Sequence, residues 1–167
     1  MDGYLLDTNT ISALLDSTHE KHAIAQTVIA SIEQGAPKYT SIIALAELAF
    51  GMQLLDIVRG QVPEHLKDIL RAANSHALLD VTRHTANEYG QLKARLAKHY
   101  LPTAIGKNRP RWLEDWVDRT TGKCLQVDEN DLWMCAQARE RNLVLLTADA
   151  RMQRISAADP SVRLRVF

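Results

Sequence analysis

The chain alternates short apolar runs with longer stretches of helical periodicity, and that alternation leaves few folds open. Leu143-Val144-Leu145-Leu146 is the clearest buried strand; Gly3 to Asp7, Lys38 to Thr40, Ala77 to Val81 and Val162 to Val166 read as others. Helical patterns fill the intervals at roughly 9–16, 20–34, 42–59, 63–74, 82–99 and 131–141, with one short helix before the last strand. Strands separated by helices predict a parallel sheet covered on both faces. The expected fold is therefore α/β, a three-layer α/β/α sandwich with a central parallel sheet. A length of 167 residues suits one domain spanning 1–167.

Local punctuation agrees with this division. Gly35-Ala36-Pro37 stops the second helix, Ser41 is placed to cap the third, and Pro63 opens the fourth. Thr82 or Thr85 caps the fifth, and Thr8-Asn9 supplies capping residues for the first. The helix at 42–59 is apolar nearly all round in Ile42, Ile43, Ala44, Leu45, Leu48, Ala49 and Phe50, which predicts a buried helix. Residues 100–127 break the pattern with Pro102, Gly106, Pro110, Gly122 and two tryptophans. A non-periodic segment of that length inside a compact domain is usually functional or mobile.

Several classes are disfavoured by composition. No apolar run approaches the roughly 20 residues of a membrane span, so no membrane association is expected. Met1-Asp2-Gly3 does not open a signal peptide. Cys124 and Cys135 have no zinc spacing and read as free thiols of a reducing cytoplasm. Net charge is zero, yet its distribution is uneven. Residues 1–82 carry 5 Lys/Arg and 10 Asp/Glu, whereas residues 83–123 carry 9 and 4. Such asymmetry permits a basic surface beside an acidic site, although exposed helices also carry charge for solubility alone.

Four carboxylates fit a core poorly. Asp7 and Asp149 end apolar strands, where open α/β sheets place their ligands. Glu47 lies on a helix whose neighbouring positions are Ile43, Ala44, Phe50 and Gly51, and Asp131 shares a face with Met134, Cys135 and Ala138. Each has a plain structural explanation: a salt bridge for Glu47, helix capping for Asp131, a turn for Asp149. Together, without a matching cluster of Lys or Arg, they could not all ionise in one pocket. A hard divalent cation would resolve that conflict, and oxygen-only donors favour Mg2+ or Mn2+. The chemistry best served is metal-assisted displacement at phosphorus.

The order Leu-Leu-Asp7-Thr-Asn, Ala-Glu47-Leu, Asn-Asp131-Leu-Trp and Leu-Leu-Thr-Ala-Asp149 resembles the PIN-domain nucleases, and more narrowly the VapC-type toxins of toxin–antitoxin pairs. The likeness covers roughly 1–99 and 128–167. It implies a Mg2+- or Mn2+-dependent endoribonuclease with Asp7, Glu47, Asp131 and Asp149 as metal-binding and catalytic acids. Thr147 would hold the pocket and its water, and Asn9 would orient Asp7. The resemblance also implies RNA such as transfer RNA as substrate, a homodimer, and a cognate antitoxin through which operator DNA would be met. Two other readings stay open: a non-catalytic PIN-like protein acting with its antitoxin on operator DNA, and a phosphohydrolase using Asp7 as nucleophile.

The segment 100–127 departs from that resemblance. Lys107, Arg109 and Arg111 with Trp112 could grip RNA by phosphate contact and base stacking. Trp112 and Trp116 are four apart, however, and the favoured role for them is to pin a short helix to the body of the fold. Docking of the antitoxin or of a second protomer is a third use.

Overall fold

The computed structural model describes residues 1–102 and 109–167. Among the described residues five strands form one all-parallel sheet: β1 (Tyr4–Leu6), β2 (Lys38–Ser41), β3 (Ala77–Leu79), β4 (Val144–Thr147) and β5 (Leu164–Val166). Their spatial order is β3-β2-β1-β4-β5. The chain therefore builds outward from β1 on one side, then returns to add β4 and β5 on the other. The switch point between β1 and β4 is where a parallel sheet opens a crevice at its carboxyl ends.

The helices are α1 (Thr8–Leu15), α2 (His22–Ala30), α3 (Ile42–Arg59), α4 (Glu64–Ser75), α5 (Arg83–Tyr100), α6 (Glu129–Glu140) and α7 (Gln153–Ala158). α1 packs on α2, α3 and α4, while α5 packs on α6 and α7. With the sheet between them they make the expected three-layer α/β/α sandwich. Among the described residues no helix is long and apolar enough to cross a membrane.

Helix starts follow the capping chemistry of the sequence. Ser41 Oγ accepts from the Ile43 N–H at 2.9 Å, and Thr82 and Thr85 cap α5 reciprocally. Gly60 ends α3 in the left-handed region at φ 68°, where a side chain would be strained. At α1 the cap is Asp7 itself, rather than Thr8 or Asn9, and its carboxylate accepts from the Thr10 N–H.

The core runs through Leu5, Leu6, Leu145 and Leu146 of the central strands and continues into Leu92, Leu96, Leu132 and Ile155. α3 departs from expectation: it is not a buried helix. Ala44 is its one fully buried residue, whereas Phe50 is 67% and Ile57 80% exposed. Length explains this. Eighteen residues of helix extend about 27 Å, while the four residues of β2 extend only about 13 Å. Ile43, Leu45 and Leu48 pack on the core, and the apolar side chains beyond them have no sheet to cover.

The irregular segment is partly core. Leu113 and Trp116 are fully buried, and Leu125 and Val127 join the same cluster. The Trp116 indole N–H donates to the Pro110 carbonyl at 3.0 Å, and Val117 bridges Cys124 across an antiparallel pair. Glu129 fastens the segment to the body by accepting from the Leu113 N–H at 3.1 Å and from Lys93 and Tyr89 on α5. Cys124 is exposed and Cys135 buried, both as free thiols.

Candidate active site

Strand register places the site. Leu6 pairs with Leu146, so the next residues, Asp7 and Thr147, lie side by side at the carboxyl end of the sheet. Asp7 is almost wholly buried, and both its oxygens are held. Oδ1 accepts from the Thr10 N–H at 2.6 Å, and Oδ2 accepts from Thr147 Oγ1 at 2.5 Å. Thr10 Oγ1 donates to the Leu146 carbonyl at 2.8 Å, which locks the first turn of α1 to β4. Thr147 Oγ1 also accepts from the Asp149 N–H at 3.0 Å, so one hydroxyl bridges the two strand-end acids.

The two helical acids reach the same space. Glu47 is half-buried and takes neutral partners instead of a salt bridge: Thr8 Oγ1 donates to Oε2, and Asn130 Nδ2 donates to Oε1 at 2.7 Å. Asp131 stands in the first turn of α6 in a reciprocal cap with Asp128. Its Oδ2 accepts from the Asp128 N–H at 3.2 Å, and its own N–H donates to Asp128 Oδ1 at 2.8 Å. Asp7, Glu47, Asp131 and Asp149 all line one cleft of about 440 Å³, together with Thr8, Asn9, Glu114, Gln126, Asp128 and Arg151.

The electrostatics are those of crowded acids. Burial raises the Asp7 carboxyl above its ordinary value, against the hydrogen bonds from Thr10 and Thr147 that favour the ionised form. Burial, then the neighbouring Asp128 charge, pushes Asp131 up to about 7, with Asp149 and Asp7 adding to the shift. Asp149 behaves oppositely. Burial alone would raise it, yet the hydrogen bonds and charge of Arg151 hold it below its ordinary value. Behind Asp131, burial and the same acids keep the Cys135 thiol well above its ordinary range, hence uncharged.

A family model for the PIN domain matches residues 4–158. The chain belongs to the PIN domain family. Solved structures share the fold of this PIN domain at low identity. VapBC2 from Rickettsia felis, bound to a promoter DNA fragment, has a TM-score of 0.61 at 20% identity, covering 98% of this chain and 97% of that one. VapBC-1 from nontypeable Haemophilus influenzae gives 0.60 at 21%, covering 98% and 96%. VapC20 of Mycobacterium tuberculosis, a Sarcin-Ricin loop cleaving toxin, gives 0.55 at 19%, covering 94% and 95%. No curated protein sequence matches the chain.

Within this PIN domain the donor chemistry of the cleft suits a hard divalent cation, since the acids offer only oxygen. The cleft is short of positive charge, because among its described lining residues six carboxylates face Arg151 alone. Yet among the described residues no three His, Cys, Asp or Glu side chains close into a metal-holding group as they stand. Asp149 is turned to Arg151, and Glu47 to Thr8 and Asn130.

The remaining site residues divide. Asn9 lines the cleft but makes no hydrogen bond to Asp7; Thr10 and Thr147 do that. Lys107 lies outside the described residues. Arg109 and Arg111 are exposed, and Trp112 is 53% exposed with the Arg111 guanidinium 4.7 Å from its ring centre. Of the two tryptophans, Trp116 packs and Trp112 does not. Thr10, Asn130, Asp128 and Arg151 were not singled out by sequence. The Asp7-to-Thr10 and Asp128-to-Asp131 spacings are capping signals that pointed to two of them.

Proposed function

We propose that this PIN domain is a divalent-metal-dependent endoribonuclease toxin restrained by a cognate antitoxin. One observation carries the reading: two strand-end acids and two helical acids line a single cleft that is short of positive charge. The likeness to VapBC complexes and to a Sarcin-Ricin loop cleaving toxin supports the same direction at the level of fold.

Asp7, Glu47, Asp131 and Asp149 would hold Mg2+ or Mn2+. Such an ion supplies a lowered pKa for an attacking water and a shield for phosphodiester charge. The chain's own residues do the positioning. Thr147 fixes Asp7 by donating to Oδ2, Asn130 fixes Glu47 by donating to Oε1, and Asp128 orients Asp131 through its backbone N–H. Pushed up to about 7, the Asp131 carboxyl is about half protonated at neutral pH. Arg109, Arg111 and the open face of Trp112 are assigned to RNA, by phosphate contact and base stacking.

The test is incubation of antitoxin-free protein with total cellular RNA in Mg2+ or Mn2+, with EDTA and Asp7→Asn as controls. Sequenced cut ends that vanish in both controls are expected. Cleavage persisting in Asp7→Asn would overturn the site. An intact protein inert toward every RNA would favour a binding role, with the antitoxin, on operator DNA. Sedimentation of the free chain checks the proposed homodimer.

A further inference from the structure

Among the described residues Arg151 is the one cation lining the cleft, against Asp7, Glu47, Glu114, Asp128, Asp131 and Asp149. Its side-chain hydrogen bonds go to a single acid. Arg151 Nε lies 2.8 Å from each Asp149 oxygen, and Nη2 lies 2.5 Å from Oδ2. The Arg151 backbone N–H also donates to Oδ1 at 2.8 Å. Both oxygens of one of the four acids are therefore already engaged by a cation.

The side chain is also free to leave. It is 53% exposed and walls two further grooves, one of about 400 Å³ beside Tyr100 and Arg154, the other of about 200 Å³ beside Lys21 and Ala148. Swinging away from Asp149 moves an exposed side chain along the surface.

We propose that Arg151 is a displaceable counter-ion, which occupies Asp149 in the metal-free chain and competes with the divalent cation for the cleft. This rests on the reading of that cleft as a divalent-cation site. An entering cation meets a guanidinium bonded to both oxygens of Asp149, and the two positive charges repel at short range. Arg151 thus lowers metal affinity and keeps Asp149 from closing the ligand set before metal is present. It is a positioning residue, acting through Asp149. A purely structural partner would act in the other direction: it would hold Asp149 ready to ligate, and its loss would weaken metal binding.

The experiment measures Mn2+ binding to the full chain by electron paramagnetic resonance of the free ion, without RNA, at low salt. Circular dichroism verifies that each variant folds. A bidentate but half-exposed pair sits near the upper end of surface ion pairs, so Arg151→Ala is expected to bind Mn2+ about fivefold more tightly. Arg151→Lys, which keeps charge but loses the fork, should fall between. The Mn2+-induced rise in melting temperature should be larger in Arg151→Ala than in the parent chain. Equal or weaker Mn2+ binding by Arg151→Ala overturns the counter-ion role while leaving the cation site intact. Absence of Mn2+ binding in both chains overturns the cation site itself.

Discussion

Asp131→Asn should stabilise the metal-free protein, by an amount that grows with pH. Asn keeps the shape of the side chain and an oxygen to accept the Asp128 N–H, now at 3.2 Å. What it removes is a charge the fold resists. The Asp131 carboxyl rises from its ordinary 3.8 to about 7 in the folded chain, through burial and then Asp128. For an acid raised on folding, the contribution to stability is complete below the unfolded value and is lost as pH climbs through the folded one. At about 1.36 kcal/mol per pH unit, the loss by pH 8 is about 4 kcal/mol, and by pH 5 it is only about 1.6 kcal/mol. Asp131→Asn should therefore gain roughly 2.5 kcal/mol over the parent between pH 5 and pH 8, or about 5–10 °C in melting temperature. Urea unfolding in EDTA at both pH values measures it. A stability difference that stays flat from pH 5 to pH 8, or a parent chain more stable than the variant at pH 8, would refute the reasoning.

Thr147→Val removes the donor to the buried Asp7 Oδ2 and should cost about 1–3 kcal/mol in unfolding experiments, with a steep loss of RNA cleavage. Trp116→Ala empties a fully buried site and should cost about 3–5 kcal/mol by denaturant titration, whereas Trp112→Ala should leave stability nearly unchanged. Replacing Arg109 and Arg111 by Ala should weaken RNA binding in EDTA and reduce its salt slope by about 0.7 per lost phosphate contact. An unchanged slope would assign those arginines to another surface.

The strands and the strand-end acids were legible in the sequence because both signals are local. Leu5-Leu6-Asp7 and Leu143 to Asp149 announce a buried run and its polar end within a few residues. The exposed half of α3 was not legible: its apolar composition describes the helix alone, while exposure depends on the extent of the sheet beneath it. Partners separated along the chain were equally hidden. The bond from Thr10 Oγ1 to the Leu146 carbonyl leaves no local trace, since it exists only once β1 and β4 are in register. The split between Trp112 and Trp116 likewise depends on where Glu129 anchors the segment, through Lys93 and Tyr89 of α5.

The strand order carries a consequence for the timing of synthesis. β1 is synthesised well before one of its two sheet neighbours, β4. The Thr147 hydroxyl that holds Asp7 lies 140 residues downstream of it. A nascent chain can assemble β1 with β2 and β3 while the cleft still lacks Thr147 and Asp149 altogether. Premature termination anywhere before β4 yields a product without the paired strand ends, so the site is completed only once β4 has been made. Closing so distant a pair is also entropically slow, which makes docking of β4 beside β1 the natural late step of folding.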